Sequence, residues 1–264
     1  MKWFIRGDTH CDFTPFYHYD KLINNPNSAV IILGDAGLNT GLNKDSHIKN
    51  KLKKRFDGWI YCVRGNHELR PSDVPEMKLI WDENVNGYVW MQDKWPQIRY
   101  FQDYAIYWIN GYRCLVLGGA YSVDKWYRLQ AGLFWAPNEQ LSKTEMNAAM
   151  PLIIGEKFDF IFSHTCPQSW EPIDLFLNTI SQNTVDHSME IWLDEVREKC
   201  EWKVWMFGHY HCDRAERPRA EMCFNEIQDL DTVWNRWEGE KTICKEWWIL
   251  KSPMYYVDGN EYEE

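Results

Sequence analysis

The chain has no excess of positive charge, no Cys-x-x-Cys pair and no long apolar run, and each absence removes a class of function. Lys and Arg number 29 against 39 Asp and Glu, a formal net charge of −10. Long nucleic acids are bound by neutralising their phosphates with cations, so this balance argues against such a partner, though not against a small phosphate ester beside a local cation. Eight cysteines, at 11, 62, 114, 166, 200, 212, 223 and 244, form no paired motif. No stretch approaches the roughly 18–20 apolar residues of a membrane span. The opening residues, MKWFIRGDTH, reach charge at once. We therefore expect no secretory segment, reduced and mostly buried thiols, no membrane partner and a cytoplasmic location. No Ser/Gly-rich linker, repeat or low-complexity tract divides the 264 residues. A single domain over 1–264 is expected, with 213–264 as an appended segment of it.

What is present is a dense apolar pattern. Hydrophobic residues make up 45% of the chain and aromatics 16%, enough for a sizeable core. Short apolar runs at 2–8, 29–35 and 59–66 read as strands, separated by helical stretches near 14–24 and 46–56, the pattern of a parallel sheet with crossover helices. The basic run KNKLKKRF at 49–56 reads as a solvated helix face. Asn110-Gly111, between two β-rich runs over 104–120, predicts a hairpin. Residues 121–137 read as a loop, and Ser142 with Glu145 predicts a capping box on the helix that follows. Residues 158–165 and 202–211 read as strands and 188–200 as a helix with Met189, Trp192, Leu193, Val196 and Cys200 on one stripe. Residues 213–246 give no clear pattern, and 246–257 read as a late strand.

Five of these strands end in metal-ligand residue types: Asp8-Thr9-His10, Gly34-Asp35, Gly65-Asn66-His67-Glu68, Ser163-His164 and Gly208-His209-Tyr210-His211. Five of the eight histidines lie at these ends, leaving His18, His47 and His187 elsewhere. Each fragment alone reads more readily as an ordinary turn than as a ligand. Together they point to one crevice, because loops beyond strand carboxyl ends converge in open α/β sheets. Carboxylates and neutral imidazoles suit borderline divalent metals, and an Asn oxygen adds a ligand without adding charge. Glycine before Asp35, Asn66 and His209 lets the backbone turn off each strand.

The ordered set D-x-H, G-D, G-N-H-E, H and G-H-x-H, spanning positions 8 to 211, resembles the calcineurin-like metallophosphoesterase superfamily. The resemblance implies an α/β four-layer sandwich, two mixed β-sheets flanked by helices, with a dinuclear metal site at the strand ends. It implies that Asp8, His10 and His211 bind one divalent ion, that Asn66, His164 and His209 bind the other, and that Asp35 bridges them. Mn²⁺ is the expected metal; Fe, Zn²⁺ and Ni²⁺ suit the same ligands. His67 corresponds to the family's catalytic histidine, which protonates the leaving oxygen while a metal-bridging hydroxide attacks. Glu68 is either an orienting residue behind the ligands or an exposed helix-start carboxylate.

The Ser/Thr protein phosphatase branch carries G-D-x-V-D-R-G, whereas this chain has GDAGLNT at 34–40, with Leu38 and Asn39 in place of Asp and Arg. That branch also usually lacks the second histidine of G-H-x-H, present here as His211. The expected activity is accordingly hydrolysis of a small-molecule or peptide phosphate ester, with a diester preferred. A phosphomonoesterase or protein-phosphatase-like enzyme is the alternative, and a metal-stabilised binding scaffold is the reading from another class. Arg64 either contacts substrate in place of the missing cation or forms a structural ion pair. The stretch 118–135, rich in aromatics, either lines a cleft or forms a pinned surface loop. Cys11 and Cys166, beside the ligands, are expected to be buried structural residues.

Overall fold

The computed structural model of the chain describes residues 1–22, 25–217 and 219–238. Strands β1 (Lys2–Arg6), β2 (Ser28–Leu33), β3 (Trp59–Val63), β4 (Lys78–Asp82), β5 (Gly87–Met91) and β6 (Ile98–Phe101) are followed by β7 (Tyr104–Ile109) and β8 (Tyr112–Leu117). Then come β9 (Lys157–Ser163), β10 (Glu201–Phe207), β11 (Arg214–Arg217), β12 (Ala220–Met222) and β13 (Gln228–Asp229). The helices are α1 (Lys44–Arg55), α2 (Lys125–Gln130), α3 (Lys143–Ala149), α4 (Ser188–Lys199) and α5 (Leu230–Glu238). One sheet has the order β13-β1-β2-β3-β6-β5-β4 and the other β11-β12-β10-β9-β8-β7.

Both sheets are mixed. β1, β2, β3 and β6 run parallel, as do β8, β9, β10 and β12, while β4, β5, β7, β11 and β13 are antiparallel additions at the margins. β2 is buried along all its residues, Ser-Ala-Val-Ile-Ile-Leu, as a parallel strand covered on both faces must be. Its alternate side chains feed two different cores. Ala29, Ile31 and Leu33 face the second sheet and meet Phe160, Phe162, Val204 and Met206 in the central cluster. Val30 and Ile32 face outward, onto Leu52 of α1 and Phe16 of the short 3-10 turn Thr14–His18. On the far side, Leu115, Ile161, Trp205 and Phe207 pack beneath Met146 of α3 and Met189, Trp192, Leu193 and Val196 of α4. The result is four layers: helix, sheet, sheet, helix.

The hairpin at Asn110-Gly111 and the Ser142/Glu145 capping box form as the sequence predicts. Several expectations need correcting. The helix expected over 14–24 is a single 3-10 turn, Thr14–His18, begun by Pro15. The loop at 121–137 contains α2. Lys49 leaves the solvated face of α1 and is buried, its ammonium donating to Asn39 Oδ1 at 2.7 Å and Gln92 Oε1 at 2.8 Å. The unassigned stretch after 213 supplies β11–β13 and α5, with β13 pairing antiparallel to β1 through Phe4 and Asp229. The late strand expected over 246–257 lies outside the described residues. Among them, no helix is long and apolar enough to cross a membrane.

Candidate metal centre

Parallel strands in register end at the same level, so the residues that follow them share one edge. Leu33 of β2 pairs with Val63 of β3, and Arg6 of β1 with Ile32 of β2. In the other sheet Phe207 of β10 pairs with Ser163 of β9. Within the second sheet the Gly208 amide donates to the His164 carbonyl at 2.9 Å, and the His209 amide joins the two edges by donating to Asp8 Oδ1 at 2.9 Å. The approach is close enough to demand glycine. A Cβ on Gly208 would sit 2.4 Å from Asp8 Oδ1 and 2.6 Å from the Leu33 carbonyl oxygen. Gly34, at φ +100°, combines a left-handed backbone with a similar approach to His164.

At this edge Asp8, His10 and His211 form one group with metal-ligand spacing, and Asp8, Asp35 and His164 another. His10 Nε2 and His211 Nε2 are 2.8 Å apart, and Asp8 Oδ2 lies 3.6 Å and 3.2 Å from them. Asp8 Oδ2 is buried with no hydrogen-bond partner among the described residues. Such a carboxylate oxygen is costly unless a cation faces it.

The second group is more tightly determined. His164 Nδ1 donates to the Leu33 carbonyl at 2.8 Å, which turns Nε2 toward Asn66 Oδ1, also at 2.8 Å. The Asn66 amide nitrogen donates to Ser122 Oγ at 2.8 Å, so its oxygen is the atom that faces His164. Two acceptor atoms therefore confront each other at a separation that needs a shared cation or a proton. His164 Nε2 is 3.6 Å from Asp35 Oδ2, and the half-buried His209 ring lies 5.0 Å from that of His164. His67 stands at the cleft wall, its amide donating to Asp35 Oδ1 at 2.9 Å and its Nε2 3.9 Å from Asp35 Oδ2.

Backbone strain collects at the same residues. His10, Asp35, His209 and His211 all have positive φ, at 45°, 46°, 69° and 54°. Non-glycine residues rarely adopt this region and are held there by their surroundings, most often at functional sites. Here the strain turns the side chains into the crevice.

The charges agree with the geometry. Burial alone would raise Asp35 and lower His164, but their mutual attraction wins, depressing the Asp35 carboxyl and lifting His164 to about 9. Burial and the neighbouring His164 push His209 down to about 3, keeping its ring neutral and able to coordinate. A proton on His164 thus takes the place a divalent ion would hold. The donor set of carboxylates, imidazoles and one amide oxygen fits such ions.

Other sequence candidates fall elsewhere. Arg64 is fully buried, its Nε donating to Asp103 at 2.9 Å and Nη1 to the Glu139 carbonyl at 2.7 Å, and it does not line the cleft. It holds the structural ion pair. Glu68 is buried rather than an exposed helix-start residue, accepting from the Leu38 amide at 3.1 Å and the Tyr100 hydroxyl at 2.7 Å. It braces the 34–40 loop behind Asp35. Cys166 is buried, but Cys11 is half-exposed, with Sγ donating to the Gly37 carbonyl at 3.1 Å. From the 118–135 stretch, Tyr121, Val123 and Asp124 line the cleft, whereas α2 exposes Trp126 and Tyr127.

Sequence reasoning missed Ser122 and Glu139. Ser122 Oγ and Trp135 Nε1 both donate to Glu139 Oε2, at 2.5 Å and 2.7 Å, completing a chain from Asn66 to a carboxylate. No local pattern marks it, since both lie in irregular segments. The cleft itself, about 310 Å³, runs from Asp35, Asn66, His67 and His209 to an apolar wall of Leu175, Phe176, Leu177 and Ile180.

Residues 1–213 match the calcineurin-like phosphoesterase family. No curated protein matches the chain significantly. Among solved structures, the crystal structure of phosphopantetheinyl hydrolase from Mycobacterium tuberculosis is similar, with 13% identity and a TM-score of 0.43, covering 89% of this chain and 92% of that one. The family match extends over every strand end of the crevice, and the chain belongs to the calcineurin-like phosphoesterases, hydrolases that cleave phosphoester bonds with divalent metal ions.

Proposed function

We propose that the crevice holds two divalent ions and hydrolyses a small-molecule or peptide phosphate ester, a diester in preference to a monoester. Asp8, His10 and His211 hold one ion and Asn66, His164 and His209 the other, with Asp35 shared between them. Mn²⁺ is the proposed metal. The observation that carries the reading is the crowding of metal-ligand atoms at one point: Asp8 Oδ2, buried without a hydrogen bond, lies 3.2 Å from His211 Nε2, and the His10 and His211 ring nitrogens are 2.8 Å apart. Bound there, two divalent ions supply Lewis-acid charge to the phosphoryl oxygens and make water acidic enough to attack phosphorus.

The chain's own residues supply position and a proton. The Asp35 carboxylate anchors the His67 backbone at 2.9 Å, which fixes the imidazole at the cleft wall where it can donate to the leaving oxygen. Preference for a diester is supported by the lining, which includes no Lys or Arg but does include Asp124, Glu171 and Glu190. A monoester dianion gains most from guanidinium or ammonium donors, whereas a singly charged diester needs fewer and can rest its second substituent on the apolar wall. Turnover of bis-p-nitrophenyl phosphate should exceed that of p-nitrophenyl phosphate with Mn²⁺ present, and the reverse order would overturn the diester preference. His67→Ala should keep its bound metal and lose roughly a hundredfold in turnover, the usual worth of a positioned acid. Asp35→Asn should lose metal and activity together, as read by elemental analysis beside the assay.

A further inference from the structure

Glu171, His187 and Glu190 form a third group with metal-ligand spacing, in the lining of the same cleft. One donor atom from each lies within 4.8 Å of the others. His187 Nδ1 is 3.0 Å from Glu171 Oε1. Two donors each about 2.1 Å from one ion at right angles stand about 3 Å apart, so this pair has the spacing of neighbouring ligands. His187 caps α4 and Glu190 lies in its first turn, which sets both side chains on the cleft side of the helix start.

Glu190 is the informative member. It is 4% exposed, and its Oε2 has no hydrogen-bond partner among the described residues. The helix start and the Thr165 hydroxyl favour its charge only weakly, and burial pushes the carboxyl up to about 8. Glu171 is also raised by burial, against the pull of His187. His187 balances Glu171, but the buried Glu190 oxygen is left unmatched, and Arg and Lys are absent from the lining of this cleft.

We propose that Glu171, His187 and Glu190 bind a third divalent cation, distinct from the pair at the strand ends and facing the same cleft. Two carboxylates and one imidazole select a borderline ion such as Zn²⁺ or Mn²⁺ over Ca²⁺, which takes six or more oxygen ligands. Tyr210, between His209 and His211, lies beside the site, its hydroxyl 3.1 Å from Thr165 Oγ1, and its ring stacks on Phe176. The ion would neutralise an otherwise acidic end of the cleft and so ease the approach of a second anionic group on the substrate.

The experiment counts ions. Full-length protein is stripped with chelator, dialysed against Zn²⁺ and analysed for metal per chain, as wild type, Glu171→Gln/Glu190→Gln, His187→Asn and Asp35→Asn. The double variant should bind one ion fewer than wild type, and Asp35→Asn should retain that one. Asn is favoured at a helix N-cap, so His187→Asn preserves the start of α4 and decides the matter if the double variant does not fold. Loss of one ion in His187→Asn supports the site; wild-type stoichiometry in either folded variant overturns it. The arms also separate this site from the strand-end pair. A wild type that binds a single ion, kept by Asp35→Asn and lost by His187→Asn, would sink the dinuclear reading and leave this one standing.

Discussion

Asn66 brings no charge to the crevice, so its usefulness depends on which end of its amide faces inward. Ser122 fixes that choice by accepting from the amide nitrogen at 2.8 Å, and Glu139 fixes Ser122 in turn at 2.5 Å. Glu139 accepts from the Ser122 amide and from Trp135 Nε1 as well, so the carboxylate is held from three directions. Removing the hydroxyl frees the amide to turn its nitrogen toward His164, where a donor would repel a cation. Ser122→Ala should therefore weaken one of the two proposed strand-end ions by roughly 10–100-fold, the usual effect of losing a partner behind a ligand. Titration with Mn²⁺ followed by paramagnetic resonance would measure it, and an unchanged second affinity would show that Asn66 needs no such guide. His67 differs, being oriented through its backbone, so Ser122→Ala should raise the metal requirement far more than it lowers turnover at saturating Mn²⁺.

At the scale of elements, the crevice depends on two sheets that approach more closely than side chains allow. Gly208 is where the end of β10 passes Asp8 and the end of β2, and a methyl there would meet a backbone carbonyl oxygen at 2.6 Å, which cannot rotate away. Gly208→Ala should thus cost about 2 kcal/mol or more of stability, through forced separation of the strand ends. Thermal melts with excess chelator would register the loss independently of metal. This dependence also explains what the sequence made legible. Ligand types recur after apolar runs because the chemistry is tied to strand ends, and strand ends are where a short apolar run stops. The alternation of strands and helices in the first third was legible for the same reason, whereas the four-layer architecture was implied only by the family resemblance. Glu171, His187 and Glu190 escaped notice because a chain of turns carries no period, and their meeting depends on where α4 happens to start. Lys49 escaped because its charge argues for solvent, while its partners Asn39 and Gln92 are brought to it only by tertiary packing.

For the whole molecule, the centre lies between the sheets rather than on an appendage, so its occupancy and the fold are coupled. Asp8 and Asp35 are almost fully buried and sit where β1, β2, β3, β9 and β10 all terminate. His164 is the largest balancing charge for both carboxylates, with His211 assisting at Asp8 and His67 and His10 at Asp35. Ligands that bind only the folded chain stabilise it by mass action, about 2.7 kcal/mol for a site held at a hundred times its dissociation constant. For a chain somewhat above 250 residues, a change of 1 kcal/mol moves the melting midpoint by about 2–4 °C. Mn²⁺ at that excess should therefore raise the Tm of chelated protein by at least about 5 °C per site filled, as followed by circular dichroism. Asp35→Asn should start from a Tm below that of chelated wild type, because the substitution takes from His164 the buried charge that balances it, and it should gain little from Mn²⁺ at the strand ends. A rise in Asp35→Asn as large as in wild type would place the stabilising ions away from Asp35, and the coupling between the two sheets and their metals would have to be sought elsewhere.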